Sequence, residues 1–232
     1  MASTFFGLHI GSSALSSFQV ATNTTANNIA NVKTTGYTRQ EATLQAKDAI
    51  NVTARYGSVG TGVTVTSIKQ QRDLYYDNKY WENNSCYGRY EQKLYYMEQI
   101  QNYFKDNGSS VKGFSSVFSQ MFSDLDTLRS KPSDKTVRNQ FISSAQSLCT
   151  YFNQMSDNLS KLQDDCNEEI KNNVDEINSI SEKISLLNKE INQIETGTGV
   201  EASSLRDERA NLIDSLSKIV NVSYNETEVQ NT

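Results

Sequence analysis

Residues 141–195 read FISSAQSLCTYFNQMSDNLSKLQDDCNEEIKNNVDEINSISEKISLLNKEINQIE, and their spacing decides the fold. Phe141, Leu148, Phe152, Met155, Leu159, Leu162, Cys166, Ile170, Val174, Ile177, Ile184, Leu187, Ile191 and Ile194 keep one narrow stripe over many turns. Steps of three and four put such residues on one helical face, and so narrow a stripe is a seam for another helix. Residues 134–195 contain no Pro or Gly, the two strongest helix breakers. Unbroken at about 1.5 Å per residue, the segment would be about 90 Å long. The fold class expected is therefore mainly α, an elongated bundle of long coiled-coil-like helices packed on one another or on neighbouring chains.

The flanks continue the pattern. Ser130-Lys131-Pro132-Ser133-Asp134 ends an earlier helix carrying Phe114, Val117, Phe118, Met121, Phe122, Leu125 and Leu128, and Ser133 or Asp134 can cap the long one. Asn107-Gly108-Ser109-Ser110 separates that helix from one predicted over about 70–105. Its seam is Tyr87, Tyr90, Leu94, Met97, Gln101 and Phe104. Downstream, Thr196-Gly197-Thr198-Gly199 supplies a turn. Ser203 or Ser204 can cap a return helix bearing Leu205, Leu212, Ile213, Leu216 and Ile219. Val220-Asn221-Val222-Ser223-Tyr224 reads as the start of a strand.

The N-terminal helix has a weaker face. Leu8, Leu15, Thr22 and Ile29 recur every seven residues, but in a Ser-, Thr- and Asn-rich background that competes for backbone hydrogen bonds. Such a helix is expected to be poorly ordered without a partner. Val63, Val65 and Ile68, after the turn-prone Gly57–Gly62 stretch, predict a small extended or hairpin region. The expected layout is 1–36 for the N-terminal helix and its exit, 37–69 for the extended region, 70–219 for the helix bundle and 220–232 for a further β segment.

Composition excludes several functions. Only 36% of the 232 residues are hydrophobic, thin for one large core, and the chain has a single proline. A net charge of −5 offers no basic patch for a phosphate backbone, so no nucleic-acid partner is expected. No apolar run approaches the roughly 20 residues that cross a bilayer, and Met-Ala-Ser-Thr-Phe-Phe-Gly lacks a charged leader, so neither a membrane span nor a cleaved signal is expected. Cys86, Cys149 and Cys166 match no zinc or redox spacing and read as packing residues.

Catalytic devices are equally absent from the pattern. His9 is the single histidine, set in the weak N-terminal helix. Asp164-Asp165 and Glu168-Glu169 fall on the polar side of the long helix, where solvated charge explains them. The Gly-rich stretches lack the Lys-Ser/Thr of a phosphate loop. No catalytic, cofactor or metal residues are assigned, and the chain is not expected to be an enzyme.

Residues 27–41 are worded differently. Asn27-Asn28-Ile29-Ala30-Asn31 closes the helix, Thr35-Gly36 permits a turn, and Tyr37-Thr38-Arg39-Gln40 leads outward, with Tyr37 as an anchor. Asn-Asn-Ile-Ala-Asn-x-x-Thr-x-Gly-Tyr resembles the signature of the flagellar axial family of rod, hook and hook-associated proteins, and Tyr37-Thr38-Arg39-Gln40 resembles its hook-associated protein 1 branch. Gly60-Thr61-Gly62-Val63 before Arg72-Asp73, Lys131-Pro132-Ser133-Asp134 and Leu205-Arg206-Asp207-Glu208-Arg209 are similar to that branch as well. Rod proteins share the Asn-rich motif but are β-rich beyond it, whereas this chain spends its length on helices.

The resemblance implies a structural subunit of the bacterial flagellum, an adaptor at the hook–filament junction on which the filament assembles. It implies export through the flagellar export apparatus without a cleaved signal, and an extracellular location. The implied partners are further copies of itself in a ring, the hook protein and the second hook-associated junction protein. Family members continue past the equivalent of Thr232 to a C-terminal helix that pairs with the N-terminal one. Residues 5–32 would then be half of a pair, and the 232 residues alone are not expected to hold a stable ring. The alternatives are another axial protein, of hook or rod, and a cytoplasmic coiled-coil scaffold.

Overall fold

A computed structural model describes residues 5–51, 57–106 and 113–226. The chain is mainly α. Helices α1 (Phe6–Ala30), α2 (Leu74–Tyr103), α3 (Phe114–Ser130), α4 (Lys135–Thr198) and α5 (Ser203–Ile219) accompany strands β1 (Gln40–Ala46), β2 (Ile50–Asn51), β3 (Ser58–Val59) and β4 (Val63–Gln70). The chain divides into two compact units, residues 1–85 with 177–232, and residues 86–176.

In the first unit, β1 and β4 pair antiparallel from Gln40 opposite Gln70 to Ala46 opposite Val63, with a bulge between Thr43 and Leu44. The bulge gives β4 one extra residue, and Thr66 donates its hydroxyl to Thr43 O at 3.2 Å. β2 and β3 form a separate two-stranded pair. Helix α1 packs on the larger pair through small side chains rather than through its leucines. Ser17 is buried and donates to Val63 O at 3.2 Å, and Thr24 is buried one turn-pair further on. A side chain at Gly62, where φ is +106°, would collide with Ser13 Oγ at 2.2 Å, so glycine sets how closely the sheet approaches the helix. The seven-residue repeat of α1 points outward, with Leu8, Leu15, Thr22 and Ile29 exposed, and Phe18 beside it is exposed as well.

The core of this unit is small and centred on α5. Trp81 from α2, Ile180, Leu187 and Ile191 from α4, and Ala210 and Ile213 from α5 are buried. Trp81 Nε1 donates to Asp214 Oδ1 at 2.6 Å, which satisfies the one polar atom that burying an indole would orphan. Asn84 Nδ2 donates to Ser217 Oγ at 2.8 Å, and Ser217 is fully enclosed.

In the second unit, Met155, Ser144 and Asp124 are the most enclosed side chains. The N-cap of α3 is Gly113, which has no side chain to cap with, and Asp106 upstream accepts from Ser116 N–H in the first turn at 2.9 Å and from Ser116 Oγ at 2.7 Å. Asp134 caps α4 by accepting from Thr136 N at 2.8 Å, one of the two residues expected to do so. Phe114 stacks on Phe118 along α3 with ring centroids 5.1 Å apart, and Phe122 meets Phe118 tilted at 57° with centroids 4.6 Å apart.

Three expectations are corrected. Helix α5 starts at Ser203 with Ala202 as its N-cap and no side-chain cap bond, so Ser203 and Ser204 fall inside the first turn instead of at the capping position. Gly197 does not interrupt α4, which ends only where Gly199 turns at φ +67°. Residues 221–226 form no strand: Tyr224 packs edge-on against Trp81 at 5.8 Å instead of pairing. The Asn107–Ser110 break lies outside the described residues.

Candidate functional site

The Asn-rich turn is a hydrogen-bonded joint. Asn28, in the last turn-pair of α1, accepts from Gln40 N–H at 2.9 Å and donates to Gln40 O at 2.8 Å. Its carboxamide thus serves the first residue of β1 as a neighbouring strand would, using both backbone groups at once. Aspartate would lose the donor and glutamine would reach too far. The same Asn28 oxygen accepts from the Tyr37 hydroxyl at 2.8 Å, and Asn27 Nδ2 donates to that hydroxyl at 3.1 Å. Asn31 donates to Asn27 Oδ1 at 3.0 Å and accepts from Thr34 Oγ1 at 3.2 Å. Three asparagines and a tyrosine therefore fold the exit of α1 back toward the sheet.

The joint also docks on α5. Gly36 sits at φ +75°, and a Cβ there would lie 1.8 Å from Asn211 Oδ1. Thr38 N–H donates to Asp207 Oδ2 at 3.3 Å, and Gln70 Nε2 donates to Asp207 Oδ1 at 2.8 Å. Gln70 N–H donates to Glu201 Oε1 at 3.0 Å. Asp207 is 9% exposed and joins the start of β1 and the end of β4 to the helix beneath. Burial first, and the Asp207 charge second, push the Tyr37 hydroxyl above its ordinary pKa against the opposing Asn27 bond, so Tyr37 stays a neutral donor.

A second polar cluster fixes residues 224–226. Arg206 forks onto Glu195, Nε to Oε1 at 2.6 Å and Nη2 to Oε2 at 2.8 Å, and Nη1 reaches Glu226 Oε1 at 2.8 Å. Arg209 meets the same Glu226 oxygen at 3.1 Å and lies 5.3 Å over the Tyr224 ring. The bonded guanidinium of Arg206 holds the Glu195 carboxyl below the usual range against a desolvation cost. For Glu226 desolvation acts upward, and its bonds to Arg209 and Arg206 outweigh it.

The residues expected at the site divide as follows. Asn27, Asn28, Asn31, Gly36, Tyr37 and Gln40 meet in the joint. Ile29, Ala30, Thr35 and Arg39 are exposed, and among the described residues Arg39 pairs with the exposed Glu41 at 3.5 Å. Of the seam residues, Met155, Leu187 and Ile191 are buried, and Leu162, Ile177 and Ile184 are half-buried. Leu94, Met97, Phe104, Phe152 and Leu159 are exposed. Helix α2 turns a different face inward, where Gln92 and Tyr96 both bond Glu169 of α4. Asn211, Gln70, Trp81 and Ile180 escaped the sequence reading. Ile180 alone carried a signal, lying three residues after Ile177 and four before Ile184.

Among the described residues, no cluster of His, Cys, Asp or Glu could hold a metal ion, and no helix is long and apolar enough to cross a membrane. What the arrangement does is mechanical: it sets the angle at which α1 leaves a sheet and a helix.

Residues 97–232 match the family model described as the flagellar hook-associated protein FlgK helical domain, and residues 8–38 match that of the flagella basal body rod protein. Flagellar hook-associated protein 1 of Bacillus subtilis (strain 168) is 34% identical over 98% of this chain and 46% of its own length. The proteins of that name from Salmonella typhimurium and Escherichia coli (strain K12) are 33% and 32% identical over 90% of the chain and 37% and 38% of their lengths. The chain thus spans less than half the length of the curated relatives it matches. Its rod-type joint, its long helices and these matches agree: the chain belongs to the flagellar hook-associated protein 1 family.

Proposed function

We propose that this chain is a structural, non-catalytic subunit of the bacterial flagellum, part of the adaptor at the hook–filament junction on which the filament assembles. One observation carries the reading. Asn28 ties α1 to Gln40 of the sheet, Asn27 and Asn31 brace the turn through Tyr37 and Thr34, and Thr38 docks that turn on Asp207 of α5, while Leu8, Leu15, Phe18 and Ile29 stay uncovered along the outer face of α1. A helix held at a fixed angle with a free apolar stripe is built to be completed by another helix in an assembly. The rod-type match over 8–38 is common to axial proteins, and the helical-domain match over 97–232 favours the junction over the rod.

On this reading the partners are further copies in a ring, the hook protein and the second hook-associated protein. The chain reaches an extracellular position through the flagellar export apparatus. Immunogold electron microscopy with an antibody to residues 134–195 tests it. Label at the boundary of hook and filament is the expected result. Label confined to the cytoplasm would return the scaffold alternative to first place.

A further inference from the structure

Within the unit of residues 86–176, α2 carries two apolar faces, one turned inward and one exposed. Gly88 is buried, Ile100 and Tyr103 are half-buried, and Tyr96, also half-buried, bonds Glu169 of α4. On the opposite side, Tyr87, Tyr90, Leu94, Met97 and Phe104 are 53–61% exposed. With the exposed Gln101 they alternate steps of three and four without a slip, the spacing of a coiled-coil seam.

The charges beside this stripe are segregated. Glu91 and Glu98 follow Tyr90 and Met97 along one flank, and Lys93 precedes Leu94 on the other. Lys93 and Glu98 are both exposed. If two copies met stripe to stripe with helices parallel, Lys93 of each would face Glu98 of the other, the pairing that flanking positions use to set partner and direction. Antiparallel helices would instead put the acidic flank against the acidic flank. Parallel alignment also brings Gln101 beside Gln101 of the second copy, where a lone polar seam residue penalises any shifted register.

We propose that the outer stripe of α2 is a self-association surface, and that its occupant is the same stripe of a second copy of this chain, parallel and in register. Such a pair has a twofold axis and uses each stripe once, so it closes at two. It is therefore separate from ring formation, and does not depend on the junction reading above.

Sedimentation velocity on the 232-residue chain at low salt tests the pairing, with Cys86, Cys149 and Cys166 replaced by serine to exclude disulfides. A dimer is expected. Leu94→Glu should weaken it roughly tenfold or more without changing helix content, because Leu94 is exposed in the single chain. Lys93→Glu alone should also weaken it, and Lys93→Glu with Glu98→Lys should restore it, since the swapped charges face each other again. A chain monomeric at tens of micromolar, a dimer indifferent to Leu94→Glu, or a charge swap no better than Lys93→Glu would each overturn the proposal. Hook-tip labelling with a monomeric chain would sink the pairing and leave the junction reading standing.

Discussion

Gly36 and Asn211 occupy space that only one side chain can fill: a Cβ on Gly36 would come within 1.8 Å of the Asn211 oxygen, and Gly36 already sits at φ +75°. Two separate costs therefore attach to Gly36→Ala. The positive φ costs about 1–2 kcal/mol for an L-residue, and displacing Asn211 adds to it. Combining Gly36→Ala with Asn211→Gly should recover the steric part and leave the φ part. Chemical denaturation of the four chains of this cycle measures the split. Full recovery in the double variant would show that the backbone of Gly36 is not strained by a side chain.

Asn28 is expected to be the most sensitive asparagine of the joint, since it alone satisfies both backbone groups of Gln40. Asn28→Asp keeps the shape, loses the donor and sets a carboxylate against the Gln40 carbonyl. A loss of about 1–3 kcal/mol should result, against less for Asn27→Asp, whose lost bond goes to a tyrosine hydroxyl in an exposed setting. Equal losses at the two positions would mean that Asn28 is not the joint's pivot.

How much of this was legible beforehand follows from what kind of signal each part leaves. Periodicity marks a helix and its rough extent, so α1 to α5 and β4 were readable, and wording unusual for a helix end pointed to Asn27–Gln40. Periodicity does not say which of two apolar faces turns inward. Helix α2 has both, and the larger, oilier one, with Leu94 and Met97, was the natural choice; the inward face instead carries Gly88 and Tyr96, selected by Glu169 on α4. Partners distant in sequence leave still less trace. Nothing about Asn211 or Gln70 alone announces that one limits Gly36 and the other shares Asp207 with Thr38.

Trp81 gives the first unit an internal reporter, being the single tryptophan. It is 2% exposed and tied to Asp214. Trp81→Ala should cost about 3–5 kcal/mol by emptying the site. Trp81→Phe should cost less, about 1–3 kcal/mol, part of it from leaving the half-buried Asp214 oxygen without its donor. Urea unfolding followed by far-ultraviolet circular dichroism separates them. Equal costs would locate the whole effect in the hydrogen bond.

Acid should loosen the Arg206 cluster in a defined direction. Glu195 and Glu226 both titrate below their ordinary value of 4.5, so the unfolded chain binds protons first as the pH falls. Their stabilising contribution is complete above about pH 4.5 and is lost as the pH drops through the lower folded values. Glu195, whose side chain is 25% exposed, should matter more than Glu226 at 36%, where solvent screens the pair. Thermal melts between pH 7 and pH 3 should therefore flatten more for Glu195→Gln than for Glu226→Gln. A wild-type melting temperature independent of pH across that window would exclude the cluster as a source of stability.

Met155 and Leu159 are one turn apart on α4 and differ in enclosure, at 9% and 37% exposed. From the stripe alone, Leu159→Asp and Leu162→Asp should both unfold the helix pair by placing an unpaired charge in the seam. Enclosure ranks the positions differently. Met155→Asp buries a carboxylate with no partner and should cost several kcal/mol, while Leu159→Asp leaves the charge partly in water and should cost less than half as much. Leu162, half-buried, should fall between them. Thermal melts of the three single variants at pH 7 decide it: losses ordered Met155, Leu162, Leu159 confirm that α4 packs through the Met155 side in the free chain. A Leu159 loss as large as that at Met155 would mean that another helix covers Leu159 in solution.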